Sequence, residues 1–327
     1  MKTVRFIWLV PLLITSCFQE DEIVPPHEAG DLTVGVTQMG PYYGRQVYYD
    51  LAGNMEVSSN EVSAWDLSFE SASGGWEIRL NSSMFMYAGN SFDTLFSADL
   101  SPAGLDMLFD ASTGNPDSTA IGNWTYETKE GTFSKNHVYL LDMGSDELGV
   151  ARGTMKVQFG ISGEDYTVRF GKSGSDTSVV IKRDPSRRII QFSFKYGVVE
   201  LEPPAETWSL LFTRYTTMLV TNEGEYYPYI VAGVLLNPQQ VAAAPDTLKE
   251  FDNLILDDTL ALHLRIDADV IGYSWKEYDF DGGFYTIVPG KHFVIRDRDG
   301  FYYKLRFIDF YNDSGEKGFP RFEFIRL

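Results

Sequence analysis

The chain has 327 residues, with 46 acidic against 27 basic side chains for a formal charge of −19, and 44% of it is hydrophobic. Such an acidic balance repels phosphate backbones and anionic headgroups, which argues against nucleic acid as a partner and against membrane attachment through a basic face. A single cysteine rules out intrachain disulfides, so stability must come from a core; 23 Phe, 19 Tyr and 6 Trp suit packed strands rather than disorder.

Residues 1–16 read as a signal peptide. Lys2 and Arg5 give a cationic start, and Phe6 to Ile14 form an apolar stretch, broken by Pro11, that is too short to span a bilayer as a helix. Thr15 and Ser16 are small enough for a signal peptidase, and the sole cysteine, Cys17, follows them. This is the pattern of a bacterial lipoprotein with Cys17 as its lipidation site, and several acyl chains anchor firmly where one holds only marginally. The next residues, Phe18-Gln19-Glu20-Asp21-Glu22, resemble the export signal that sends some Bacteroidota lipoproteins to the outside of the outer membrane. The expected location is therefore the outer membrane, lipid-anchored and exposed at the cell surface. Residues 17–32, with Pro25-Pro26, form an acidic tether.

Beyond the tether the hydrophobic period is two. Arg45-Gln-Val-Tyr-Tyr-Asp-Leu, Trp65-Asp-Leu-Ser-Phe, Trp76-Glu-Ile-Arg-Leu, Met155-Lys-Val-Gln-Phe and Tyr303-Lys-Leu-Arg-Phe alternate apolar with polar residues between turn formers, the mark of half-buried strands. Only 237–250 reads as helical, with Pro238 in a first turn, Val241-Ala-Ala-Ala after it and Pro245 as a stop.

An internal repeat organises the strands. A strand at Arg45 leads to Trp65-Asp-Leu-Ser-Phe as one at Gln191 leads to Trp208-Ser-Leu-Leu-Phe; Asn136-His137-Val138 precedes Met155-Lys-Val-Gln-Phe as Lys291-His292-Phe293 precedes Tyr303-Lys-Leu-Arg-Phe. The spacing drifts, as loops of unequal length require and a strict solenoid forbids. The expectation is an all-β chain of two related antiparallel modules, 33–185 and 186–327, joined near Arg183-Asp184-Pro185-Ser186 and separable by a cut there.

The same residues carry a family resemblance. Trp65-Asp-Leu-Ser-Phe, Glu206-Thr-Trp208-Ser-Leu-Leu-Phe, Gly233-Val-Leu-Leu-Asn-Pro, Asp299-Gly-Phe-Tyr-Tyr-Lys-Leu-Arg-Phe-Ile-Asp-Phe-Tyr-Asn and Gly318-Phe-Pro-Arg-Phe-Glu-Phe resemble the HmuY family of haem-binding outer-membrane lipoproteins, most strongly over 190–327. Over 33–180, Asp66 and Asn115-Pro-Asp-Ser-Thr-Ala-Ile-Gly resemble longer members. The resemblance implies an all-β protein that captures haem outside the cell and passes it to a TonB-dependent transporter. It also implies iron held by two histidines in some members and by methionine or other ligands in others.

Four histidines bear on that expectation. His27 lies in the tether, and His263 sits in Leu260-Ala-Leu-His-Leu-Arg-Ile, sharing a polar face with Arg265. His137 and His292 occupy matching places in the two modules, and two neutral imidazoles could fill both axial positions of ferric haem. Duplication alone also explains their shared position. Met84 and Met86, alternating around Phe85, offer soft axial donors on one face of a strand, although methionines at that spacing also serve as core filler. Tyr87 could coordinate or stack on a porphyrin, but 19 tyrosines leave it undistinguished.

Other chemistries have weaker signals. Gly171-Lys-Ser-Gly-Ser belongs to a hairpin rather than to a nucleophile elbow. Asp279-Phe-Asp-Gly-Gly and Asp297-Arg-Asp-Gly read as hairpin turns and lack the downstream glutamate of a calcium loop. No zinc, phosphate-loop or dinucleotide motif is present, and no metal beyond haem iron is expected. Three readings remain open: a non-enzymatic binder of haem or a related small ligand that serves an outer-membrane transporter; a surface interaction or accessory lipoprotein with the fold but without a haem site; and, behind both, a glycan hydrolase, which would need two facing carboxylates in a groove.

Overall fold

The computed structural model describes residues 30–72, 74–172, 175–238 and 240–327; the signal peptide, Cys17, His27 and the tether up to residue 29 lie outside them. Among the described residues, alternating strands joined by loops and short 3₁₀ turns assemble into two large hydrophobic cores, beside a small cluster of Leu254, Val294 and Leu327. The first core lies between two antiparallel sheets. One runs Thr33–Val36, Lys317–Arg326, Tyr302–Tyr311, His292–Arg296, Ala242–Asp246; the other runs Tyr226–Leu236, Leu210–Val220, Arg45–Asp50, Met55–Glu61. Period-two patterning decides what enters it: Phe322 and Phe324 turn inward between the outward Arg321 and Glu323, and Phe322 stacks on Phe212 at 5.3 Å.

The second core has the same plan. A six-stranded sheet in the order Ser175–Ile181, Asp165–Lys172, Thr154–Ser162, Val138–Asp142, Tyr87–Asn90, Met107–Leu108 packs on a four-stranded one, Gly197–Val199, Ile189–Ser193, Leu67–Glu70, Ile78–Leu80. The matching tryptophans sit in matching structures. Trp65 and Trp208 each end a 3₁₀ turn, Val62–Ala64 and Ala205–Thr207, with nearly identical backbones (φ −141°, ψ 164° and φ −139°, ψ 156°). The carbonyls exposed by each turn need donors, and a fully buried asparagine supplies both. Asn81 Nδ2 donates to Val62 O and Trp65 O at 2.7 and 2.8 Å, and Asn237 Nδ2 to Ala205 O and Trp208 O at 2.6 and 2.8 Å.

The cores do not follow the division expected at 185/186. Arg45–Asp50 pairs with Leu210–Val220 through Val47↔Phe212, while its counterpart Ile189–Ser193 pairs with Leu67–Glu70 through Phe192↔Leu67. Each unit is completed by a final run of strands. For the unit starting at Val62 those strands follow in sequence, through Val199; for the unit starting at Ala205 they are Thr33–Val36, Arg45–Asp50 and Met55–Glu61, from the start of the chain. The expected joint is also packed rather than free: the Arg183 guanidinium lies 4.0 Å from the Trp76 ring, and Ser71 Oγ both donates to Asp184 O and accepts from Asp184 N at 2.7 Å. Alternation identifies strands but not their partners.

The described residues of 237–250 form no helix, contrary to the expectation. Ala242–Asp246 is a strand at the edge of the five-stranded sheet, paired with His292–Arg296, where Pro245 is tolerated because an edge strand leaves one side of its backbone unladdered. Burial of the alanines outweighs their helix propensity, which is the highest of any residue but yields to tertiary context.

Asp66, in the repeated tryptophan motif, braces the second unit. Buried to 1% exposure, it accepts from Arg152 Nη2 at 2.6 Å and from the Phe194 amide at 2.8 Å. Asp66→Ala leaves both donors unpaired, so a loss of about 3 kcal/mol is expected, read as a lower denaturant midpoint with unchanged slope.

Candidate functional site

The long strands of the first unit run past its core and carry aromatic rings into solvent. Leu210–Val220 and Tyr226–Leu236 pair along their full length around a turn in which Thr221 Oγ1 accepts from the amides of Glu223 and Glu225. Directly opposed residues of an antiparallel pair share a face, so Tyr227 and Tyr229 lie on one side and Met218 and Tyr226 on the other. All four are exposed. A second hairpin, Lys276–Asp279 with Phe284–Ile287, adds Tyr278 and Phe280, whose rings lie 5.1 Å apart, and Tyr285, whose ring lies 5.0 Å from Tyr278. Its turn is the Asp279 motif: Asp279 Oδ1 accepts from the amides of Asp281 and Gly282.

The second hairpin is tied to the first where Lys276 Nζ donates to Ala232 O, and phenols of both lie near enough to influence one another. Burial raises the pKa of Tyr285, and neighbouring Tyr229, Tyr278 and Tyr311 add to the rise; Tyr43 is raised likewise by burial and then by Tyr285, Tyr311 and Tyr229. Tyr273 is raised by burial, then by Tyr227 and Asp269. The Tyr43, Tyr273 and Tyr285 hydroxyls are thus neutral at neutral pH. Lys317 borders this face, its ammonium 5.4 Å from the Tyr43 ring. The result is a cluster of exposed rings, with Tyr227 and Tyr229 6.3 Å apart and Tyr278 beside Phe280, and a cation near Tyr43.

Beneath the second hairpin lies an unusual support. Lys276 is 6% exposed and surrounded by Trp275, Tyr285 and Phe310, with its ammonium 4.3, 5.4 and 4.7 Å from their rings and Ala232 O as its hydrogen-bond acceptor. Burial pushes its pKa down from 10.5 to about 7. The unfolded chain then binds more protons between about pH 7 and 10.5, so the destabilisation is full below pH 7 and fades as pH rises toward 10.5. Lys276→Met should therefore stabilise by about 2 kcal/mol or more at pH 6, with the gain shrinking in unfolding titrations carried to pH 10.

The residues singled out in the sequence are not assembled into one site. His137 is half-buried at the start of Val138–Asp142, with Nδ1 3.2 Å from Asn90 Nδ2 and its ring against Phe92; burial and then Lys135 lower its pKa. His292 lies in the other unit at 1% exposure, Nδ1 3.0 Å from Gly290 O and Nε2 3.6 Å from Asp246 Oδ2, with Phe251 against its ring. The two imidazoles stand at equivalent places in different sheets and share no neighbour among the described contacts. Met84 and Met86 do not alternate along a strand: Ser82–Met84 is a 3₁₀ turn, Phe85 is left-handed at φ 60°, and both thioethers enter the second core at 0% and 1% exposure. Arg214 Nη2 lies 3.6 Å from Met84 Sδ. Tyr87 is half-buried against Phe85 and Phe109, and His263 is exposed. Sequence reasoning missed the tyrosine face; its signal was Tyr226-Tyr-Pro-Tyr229, a tyrosine cluster at a hairpin turn.

Comparison with known proteins assigns the chain to a family. The model of the HmuY protein family matches residues 42–324. The chain belongs to the HmuY family. Two solved structures align over most of it with low identity: apo PinO from Porphyromonas gingivitis at 10% identity, covering 91% of this chain and 98% of its own, with a TM-score of 0.30; and the apo HmuY analog TFO from Tannerella forsythia at 12%, covering 92% and 98%, with a TM-score of 0.27. An HmuY-like heme-binding protein from Bacteroides vulgatus aligns at 16% identity over 42% of this chain and 78% of its own, with a TM-score of 0.19. A search of curated proteins finds no match.

Proposed function

We propose that this HmuY-family chain is a lipid-anchored protein of the outer membrane, exposed at the cell surface, that binds haem or a related planar ligand and presents it to a TonB-dependent transporter. The observation that carries the reading is the tyrosine face of the paired hairpins. Exposed rings provide stacking surface for a flat, largely apolar ligand, phenol oxygen is a recognised axial donor to haem iron, and Lys317 offers a partner for a carboxylate at the ligand's edge. The buried positions of His292, Met84 and Met86 argue against their reaching iron without rearrangement; His137 remains accessible as a single imidazole donor.

The experiment is a ferric haem titration of the full chain followed in the Soret band. Tyr229→Ala combined with Tyr227→Ala should weaken binding at least tenfold, and Tyr→Phe versions of the same pair separate coordination from stacking. His292→Ala and Met84→Leu should leave the spectrum unchanged. Loss with His137→Ala but not with the tyrosine variants would move the ligand to the second unit. Absence of haem binding altogether would favour the second reading, a surface interaction lipoprotein without a porphyrin site.

Anchoring is tested separately, since Cys17 lies outside the described residues. Cys17→Ser should release the protein from washed membranes into the soluble fraction, because the thioether-linked chains provide the expected anchorage; retention on the membrane contradicts lipidation at that residue.

A further inference from the structure

A cavity of about 260 Å³ opens where the two units meet, away from the tyrosine face. Matched elements of both units line it: Trp65 and Trp208 from the repeated turns, with Tyr48, from the strand Arg45–Asp50, and Gln191, from its counterpart Ile189–Ser193. Its charged side chains already have partners. Arg188 grips Glu202 through two bonds of 2.9 and 2.5 Å, Arg79 pairs with Glu77, Glu70 accepts from the Glu77 amide at 3.3 Å, and Asp110 accepts from the amides of Leu80 and Ala120 at 2.8 and 2.7 Å. No charge is left over to recruit an anion. One donor, by contrast, has no acceptor among the described residues: the indole N–H of the 4%-exposed Trp208, which a cationic amine could not satisfy.

Aromatic walls, charged groups already engaged by partners and a buried donor in want of an oxygen describe a neutral, oxygen-rich ring. We propose that this cavity is a binding site for a neutral saccharide of one or two sugar units, separate from the tyrosine face. A sugar ring presents an apolar C–H face to Trp65 and Tyr48. Its hydroxyls both donate and accept, so they can use the spare lone pairs of the engaged carboxylates and supply an oxygen to Trp208. The cavity is just below the roughly 300–1,000 Å³ typical of drug-sized ligands, which limits the occupant to a small molecule.

The test is saturation-transfer NMR of the full chain with glucose, galactose, mannose, N-acetylglucosamine and their disaccharides, with choline and citrate as charged controls. At least one sugar should show ring-proton transfer, and Trp65→Ala should reduce its affinity at least tenfold with unchanged circular dichroism. Ala111→Trp, which fills the cavity from its rim, provides a second variant should the first fail to fold. It should abolish sugar binding while leaving the haem titration untouched, so the two sites succeed or fail independently. The proposal is overturned if no sugar shows transfer, if both variants bind sugar as the parent does, or if choline or citrate binds in its place.

Discussion

The fold depends on strands at the start of the chain closing the unit at its end. Val47 and Tyr49 stand opposite Phe212 and Leu210, and Thr33–Val36 runs beside Lys317–Arg326, prolonged by amide bonds from Gly30 to Arg326 O at 2.7 Å and from Met39 to Gly318 O at 2.9 Å. The fit is close enough to require glycine at one point: a Cβ on Gly35 would stand 2.3 Å from the Phe322 ring, which stacks on Phe212 in the first core. Joining such distant segments costs closure entropy before any contact repays it. Folding of the C-terminal unit therefore waits on the N-terminal strands, and the slow non-local pairing typical of β topologies applies here in full.

Where the units meet, the contact is polar and specific. Gln46 is its centre: Nε2 donates to Ser83 Oγ and Thr213 Oγ1, both at 3.2 Å, and Oε1 accepts from Trp65 Nε1 at 2.9 Å and from Asn60. Ser83 Oγ in turn donates to Arg214 O at 2.7 Å, and Thr216 Oγ1 to Ser82 O at 2.7 Å. A buried network of this kind favours one arrangement because slippage would strand its members without partners. It binds the turn at Ser82–Met84 to the long strand Leu210–Val220, whose partner Tyr226–Leu236 carries Tyr227 and Tyr229.

Much of this was legible in the sequence, for a physical reason. Period-two alternation survives in the strands because one face must be buried, and the repeated Trp65 and Trp208 mark equivalent turns because each holds the same asparagine-clamped geometry. The correspondence of His137 with His292 was legible too; their separation was not, since equivalence in a duplicated chain says nothing of proximity. Pairing partners were hidden because alternation is the same whichever neighbour a strand finds. Val241-Ala-Ala-Ala read as helix because propensity is local, whereas its burial at a sheet edge is not. Met84 and Met86 read as a strand face because nothing in Ser-Met-Phe-Met announces that Phe85 turns left-handed. The tyrosine face was obscured by the abundance of tyrosine, and only the meeting of two hairpins sets it apart.

The dependence of the C-terminal unit on the first strands is tested most directly by fragment folding. Residues 186–327 alone are compared with a permuted chain in which 205–327 is followed, through a flexible linker, by 30–61, each monitored by denaturant unfolding and amide NMR. Strand pairing predicts that 186–327 shows no cooperative transition and that the permuted chain unfolds cooperatively with dispersed amide signals. A cooperative transition and a dispersed spectrum from 186–327 alone would contradict it.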